Sequence, residues 1–169
     1  MADAANDQGE QSEETLEVEV VVEIPRGSRN KYEQVEDGTI WFDRRLGGPA
    51  AFPGDYGYVV GVNGEDGDAV DGLVLLEEGT FPGVHMKCRV IGSYLLQVGD
   101  IKETKLICLP VRDHHQDHLR DLDDLSDNFR EELGAFFEAY RMLEPDEVAV
   151  LEQRDLAATR AHLDGTGGS

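Results

Sequence analysis

Asp66, Asp68 and Asp71 fall within six residues at i, i+2 and i+5, with Gly67 between the first two. Three anions crowded this closely repel one another unless a cation offsets them. An all-oxygen set suits a hard divalent ion such as Mg²⁺. The same cluster also fits an acidic surface turn in a chain with 36 Asp and Glu residues. An EF-hand loop is excluded. Counting from Asp66, the fifth and sixth positions are Val70 and Asp71, where that loop needs a ligand and a glycine. If a metal binds here, other parts of the chain must complete its site.

Candidates lie upstream. The apolar run Val21 to Ile24 leads into a segment carrying Arg26, Arg29 and Lys31, and Asp43-Arg44-Arg45 adds further cations. Phe52-Pro53-Gly54-Asp55-Tyr56-Gly57-Tyr58 is an aromatic turn just ahead of the carboxylates. Guanidinium, ammonium and phenol groups beside carboxylate-held metal are the chemistry of phosphate handling. An Arg-Lys loop alone is ordinarily a solvated turn; the ordered set carries the reading.

With these residues in view, the chain resembles the family I soluble inorganic pyrophosphatases from about Leu16 to about Glu152. The family's Glu-Ile-Pro and Lys-Tyr-Glu elements stand as Glu23-Ile24-Pro25 and Lys31-Tyr32-Glu33, and its Asp-Arg step as Asp43-Arg44. Its Tyr-Pro-x-x-Tyr-Gly-Tyr element stands as Phe52 to Tyr58, and its Asp-Gly-Asp-Pro-x-Asp motif as Asp66 to Asp71 with Ala69 in the proline position. The Phe-Phe-Glu-x-Tyr-Lys helix stands as Phe136 to Arg141. The resemblance implies Mg²⁺-dependent hydrolysis of pyrophosphate by a metal-activated water. It assigns Asp68 as general base and metal ligand, with Asp66, Asp71, Glu103 and Glu23 as further metal ligands. Lys31, Arg44, Tyr56, Tyr140 and Arg141 would hold phosphate, with Lys105 near the leaving group. It also implies a homo-hexamer.

The departures are specific. The ungapped equivalent of a family aspartate is Val98, and Asp100 could replace it if the loop shifts by two residues. Glu103 stands for an aspartate, Arg141 for a lysine, and Phe52 lacks a hydroxyl. These changes leave an alternative open: a divergent paralogue that binds phosphate compounds with weak or altered hydrolysis.

The positioning elements follow from patterning. Alternation predicts strands at Thr15–Ile24 and near 39–43, 58–62, 73–77, 84–91, 105–109 and 147–151. Phe129, Leu133, Phe136, Phe137, Tyr140 and Leu143 share one face of a predicted helix from about Asp127 to Leu143, followed by Pro145. A shorter helix is expected over Arg154 to Leu163, stopped at Gly165. Many short strands with few helices make a mainly β, α+β fold. The resemblance implies a five-stranded OB-like closed β-barrel with one long and one short C-terminal helix. Residues 1–14 read as a disordered acidic tail, 15–164 as one domain and 165–169 as a flexible tail.

His114-His115-Gln116-Asp117-His118 could share a transition metal on a helix, but its polar context favours a solvated loop. Cys88 and Cys108 lie in apolar segments and read as reduced core thiols. No apolar run reaches membrane-spanning length, which points to a soluble cytoplasmic protein. A net charge of -21 argues against nucleic-acid binding. Most of the 15 basic residues are arginine. Acidic, lysine-poor surfaces occur in proteins that work in high salt, although an ordinary acidic protein with an acidic tail has the same composition.

Overall fold

The computed structural model describes residues 14–166. All but Glu14 of the expected acidic tail, and the last three residues of the expected C-terminal tail, lie outside them. Five strands close into a ring: β1 (Glu17–Ile24), β4 (Asp55–Asn63), β5 (Ala69–Val74), β7 (Ile101–Pro110) and β6 (His85–Val98). β1 closes it by pairing with both β4 and β6. Every neighbouring pair is antiparallel except β5 and β7. The expected OB-like barrel is therefore present. A separate hairpin joins β2 (Asn30–Gln34) to β3 (Ile40–Arg45), and β8 (Val148–Arg154) extends the sheet beyond β6.

Two apolar clusters fill the structure, and period-two alternation divides the strands between them. β7 sends Leu106 and Cys108 to one and Ile107 and Leu109 to the other. The first also takes Val20, Val59, Val74 and Val90. The second is built with α1 (Asp127–Ala139), whose Leu133, Phe136 and Phe137 pack with Phe52, Leu73, Tyr94 and Leu96. Ser126 caps α1 by accepting from the Phe129 amide at 3.2 Å. Cys88 and Cys108 are free, buried thiols, and burial pushes Cys88 up to about 12.

Several boundaries differ from expectation. β2 was expected as loop, because its residues lack apolar alternation; it pairs only with β3 and stays half-exposed. β5 begins at Ala69 rather than Leu73, so Asp71 lies within a barrel strand instead of ahead of it. β6 continues past Ile91 to Val98. α1 ends at Ala139 and the chain passes into turns, leaving Leu143 74% exposed rather than on the helix's apolar face. Pro145 disfavours helical backbone just before it. Arg154 closes β8, so α2 starts at Leu156 and runs through Gly165 to Thr166. The Asp155 side chain accepts from the Ala158 amide at that helix start.

Candidate active site

The barrel brings remote residues together. Parallel pairing of β5 with β7 sets Asp71 beside Lys105, and antiparallel pairing of β4 with β5 sets Tyr58 opposite Asp71. Glu103 lies two residues before Lys105 on β7, on the same face. Register in the β2–β3 hairpin places Lys31 opposite Arg44. The loop between β4 and β5 is pinned by Gly64 N–H to the Asp68 carbonyl at 2.8 Å and by the Asp68 amide to Asp66 Oδ1 at 3.1 Å. Gly67 turns it with φ of 85°, a conformation glycine adopts without strain. Tyr140 and Arg141 come from the end of α1.

These parts enclose one cavity of about 280 Å³, sized for a small ligand. Every sequence-predicted site residue lines it: Glu23, Lys31, Arg44, Tyr56, Asp66, Asp68, Asp71, Glu103, Lys105, Tyr140 and Arg141. Glu65, Lys102, Thr104 and Glu144 line it too and were not foreseen. Glu144 follows Arg141 by three residues, a spacing that favours pairing, but no motif marks it.

Lys105 is the hub. Its ammonium meets Asp71 Oδ2 at 2.6 Å and Glu103 Oε2 at 2.7 Å, with a side chain only 4% exposed. Burial alone would push it down. Asp71, the Tyr140 phenol and Glu103 outweigh burial and hold it above the usual lysine range. Tyr56 donates to Asp71 Oδ2 at 2.6 Å, and burial together with Asp71 holds the phenol well above its ordinary value. Glu23 is raised to about 7, mainly by burial; Lys31 opposes this, while Asp71, Glu33 and Asp43 add to it. At the rim, Arg141 Nε meets Glu144 Oε2 at 2.6 Å and an Arg141 guanidinium nitrogen lies 3.7 Å from Glu103. Arg44 lies 3.6 Å from Glu144, and Lys31 lies 3.9 Å from Asp43.

The donor set fits a hard divalent cation. Its carboxylates are all oxygen ligands, and two of them, Asp71 and Glu103, already converge on one buried ammonium. Among the described residues no three His, Cys, Asp or Glu side chains are close enough to hold an ion alone. Mg²⁺ tolerates this, because it keeps several waters and takes oxygens from phosphate.

Three expectations are corrected. Val98 does not line the cavity. It is 5% exposed, belongs to the apolar cluster with Tyr140 and Val148, and pairs with Ile101 and Val148. Asp100 does not line it either, because Gly99 and Asp100 form the two-residue turn of the β6–β7 hairpin. The basic residues are not all at the pocket. Arg26 donates to the Leu76 and Glu77 carbonyls and Arg29 to the Gly48 carbonyl, so both tie loops together; neither they nor Arg45 line the cavity. Phe52 does line it but is 1% exposed, with ring centroids 4.9 Å from Phe136 and 5.0 Å from Tyr56. The three histidines of the 114–118 run border a different cavity or face solvent, and His114 to Gln116 form a short 3₁₀ turn.

A closed five-stranded barrel whose rim gathers carboxylates with lysine and arginine side chains is an arrangement able to take a divalent cation together with phosphate. The family model described as inorganic pyrophosphatase matches residues 20–166, and the chain belongs to this family. It is 47% identical over 131 residues to the inorganic pyrophosphatase of Streptomyces coelicolor, covering 77% of this chain and 80% of that one. It is 40% identical over 153 residues to that of Corynebacterium glutamicum, covering 90% and 87%. The crystal structure of the Thermus thermophilus inorganic pyrophosphatase superimposes with a TM-score of 0.78 at 37% identity, covering 95% of each chain.

Proposed function

We propose that the protein hydrolyses inorganic pyrophosphate to two phosphates in a Mg²⁺-dependent reaction. The observation that supports this reading is one small cavity lined both by the carboxylates Glu23, Asp66, Asp68, Asp71 and Glu103 and by the cations Lys31, Arg44, Lys105 and Arg141. Asp66, Asp71, Glu103 and Glu23, with Asp68, would hold Mg²⁺. When bound, the metal would neutralise phosphate oxygens and acidify the attacking water.

The chain's own residues do the rest. Lys31, Arg44 and Arg141 grip phosphate oxygens, with Arg141 offering a planar fork. Tyr56 and Tyr140 project phenols into the same space. Asp68, on the exposed loop, takes the proton of the attacking water as its oxygen bonds to phosphorus and the bridging P–O bond breaks. Lys105 stays cationic at neutral pH, so it offsets charge on the departing phosphate as a fixed point charge. No side chain becomes phosphorylated.

We extend this reading to a cytoplasmic homo-hexamer. Among the described residues no helix is long and apolar enough to cross a membrane. Ile40, Trp41 and Phe42 on β3 and Met142 and Leu143 after α1 are exposed apolar side chains that subunit contacts could cover.

Phosphate release from pyrophosphate, measured with and without Mg²⁺ at low and at molar salt, tests the activity. Release that requires Mg²⁺ is expected. Folded protein that releases no phosphate under any of these conditions would refute it.

A further inference from the structure

Every phosphate-gripping cation in the cavity is already paired with a carboxylate of the same chain. An alternating series runs across the pocket: Arg44 to Glu144 at 3.6 Å, Glu144 to Arg141 at 2.6 Å, Arg141 to Glu103 at 3.7 Å, Glu103 to Lys105 at 2.7 Å and Lys105 to Asp71 at 2.6 Å. Glu103 and Asp71 have a role in the functional reading above. Glu144 has none, yet it alone in this series contacts two of the guanidinium groups.

Its placement is independent of its charge. The Glu144 amide donates to the Arg141 carbonyl at 2.8 Å, closing a tight turn directly after α1, and Pro145 follows. The backbone therefore presents whatever side chain stands at 144 to Arg141. Arg44 sits at the end of β3, with a side chain 57% exposed, so it can swing between partners. Serving as a metal ligand would require Glu144 to release both arginines, and a role in fold stability would require a buried pair. The Arg44 half of the contact is 57% exposed and 3.6 Å long, where an ion pair contributes little to stability.

We propose that Glu144 is a built-in competitor of phosphate, occupying Arg44 and Arg141 until an anion displaces it; this rests on the cavity being the pyrophosphate site. An arriving phosphate can meet both forks bidentately, whereas Glu144 makes one short contact, to Arg141 at 2.6 Å, and stands 3.6 Å from Arg44. The displaced carboxylate then lies beside the bound anion and repels it. The device weakens retention of phosphate and so favours product release, while keeping the arginines aimed at the cavity between turnovers.

The test is titration calorimetry of methylenediphosphonate, whose P–C–P bridge water cannot cleave, in Mg²⁺, against wild type, Glu144→Gln and Glu65→Gln. Glu65 lines the same cavity but lies 3.7 Å from His162 and is paired with neither arginine. Its substitution reports the general effect of removing one negative charge. Glu144→Gln should bind about fivefold tighter than wild type, the scale set by two half-exposed ion pairs, and Glu65→Gln less than about twofold. In an Arg44→Ala background the gain from Glu144→Gln should shrink, as contact through Arg44 requires. Turnover provides a second reading: Glu144→Gln should lower KM and the phosphate concentration that inhibits. Unchanged or weaker binding in Glu144→Gln, or a gain no larger than that of Glu65→Gln, would overturn the proposal. Wild type that hydrolyses pyrophosphate alongside such a result isolates the failure to Glu144; wild type that neither binds the analogue nor hydrolyses pyrophosphate overturns the functional reading and this proposal with it.

Discussion

Replacing Val98 by aspartate puts a carboxylate at a position where ungapped sequence comparison expects a metal ligand. The structure places that position inside an apolar cluster. Val98 is 5% exposed and packs between β7 and β8, opposite Ile101 and Val148. Val98→Asp loses the transfer energy of a buried valine, roughly 1.5–3 kcal/mol. It also leaves a carboxyl group without a buried partner, which costs about 1–3 kcal/mol even when neutral. The sum, about 2.5–6 kcal/mol, corresponds to a melting temperature lower by roughly 5–20 °C for a chain of this size. Burial raises a carboxyl pKa, so the buried aspartate is tolerated best when protonated. The deficit should therefore grow as pH rises from about 5 to about 8. Val98→Ala, which trims the same side chain without adding charge, should cost less and show no such pH trend. Thermal melts of the three proteins at both pH values, with chelator and with Mg²⁺, decide the matter. A Val98→Asp protein that melts near wild type, and gains more from Mg²⁺ than wild type does, would show that the side chain reaches the metal-binding wall and that the burial reasoning is wrong.

Asp68→Asn should retain the fold and most Mg²⁺ affinity while lowering turnover by about 10²–10⁴-fold, because the amide cannot accept the proton; near-native steady-state turnover would remove Asp68 from that role. Glu23, raised from 4.5 to about 7, contributes stability that is present below its unfolded value and is lost as pH climbs through 7. In chelator Glu23→Gln should thus match wild type at low pH and exceed it by on the order of 2 kcal/mol above neutrality, after allowance for partial exposure; denaturant titrations showing equal stability on the alkaline side would contradict this. Lys105→Met leaves Asp71 and Glu103 without their shared cation, so chelator-treated protein should lose stability by about 2–4 kcal/mol and Mg²⁺ should restore part of it. Melts in which Mg²⁺ restores none of that loss would argue against a metal beside those carboxylates. Subunits of charge -21 repel one another when screening is weak, so light scattering should show the proposed hexamer at high salt and smaller species as salt falls; a monomer at every salt concentration would reject the assembly.

The parts of the site that could be read from the sequence are those written within a few residues of one another. Asp66, Asp68 and Asp71 are visible because their spacing and Gly67 are local. The aromatic face of α1 is visible because helical period repeats within its own length. Contacts made by strand register are not visible in this way. Asp71 and Lys105 are 34 residues apart and meet only because β5 and β7 pair in parallel, which no local pattern announces. The β2 strand carries Lys31 yet reads as loop, since a hairpin outside the barrel buries neither face and needs no apolar alternation. Val98 shows the converse difficulty. Counting along the chain aligns it with a ligand, but a two-residue turn with Gly99 at φ 56° fixes Val98 opposite Ile101, and glycine in the first turn position suits so tight a connection. With no longer loop there, neither Gly99 nor Asp100 reaches the cavity. Anionic wall is supplied instead by Glu103 on the strand and by Glu144 from the turn after α1. Ungapped counting thus points to a carboxylate on β6, whereas the structure adds Glu65 from the loop ahead of Asp66 and Glu144 from a turn whose only local sign is a glutamate three residues beyond an arginine.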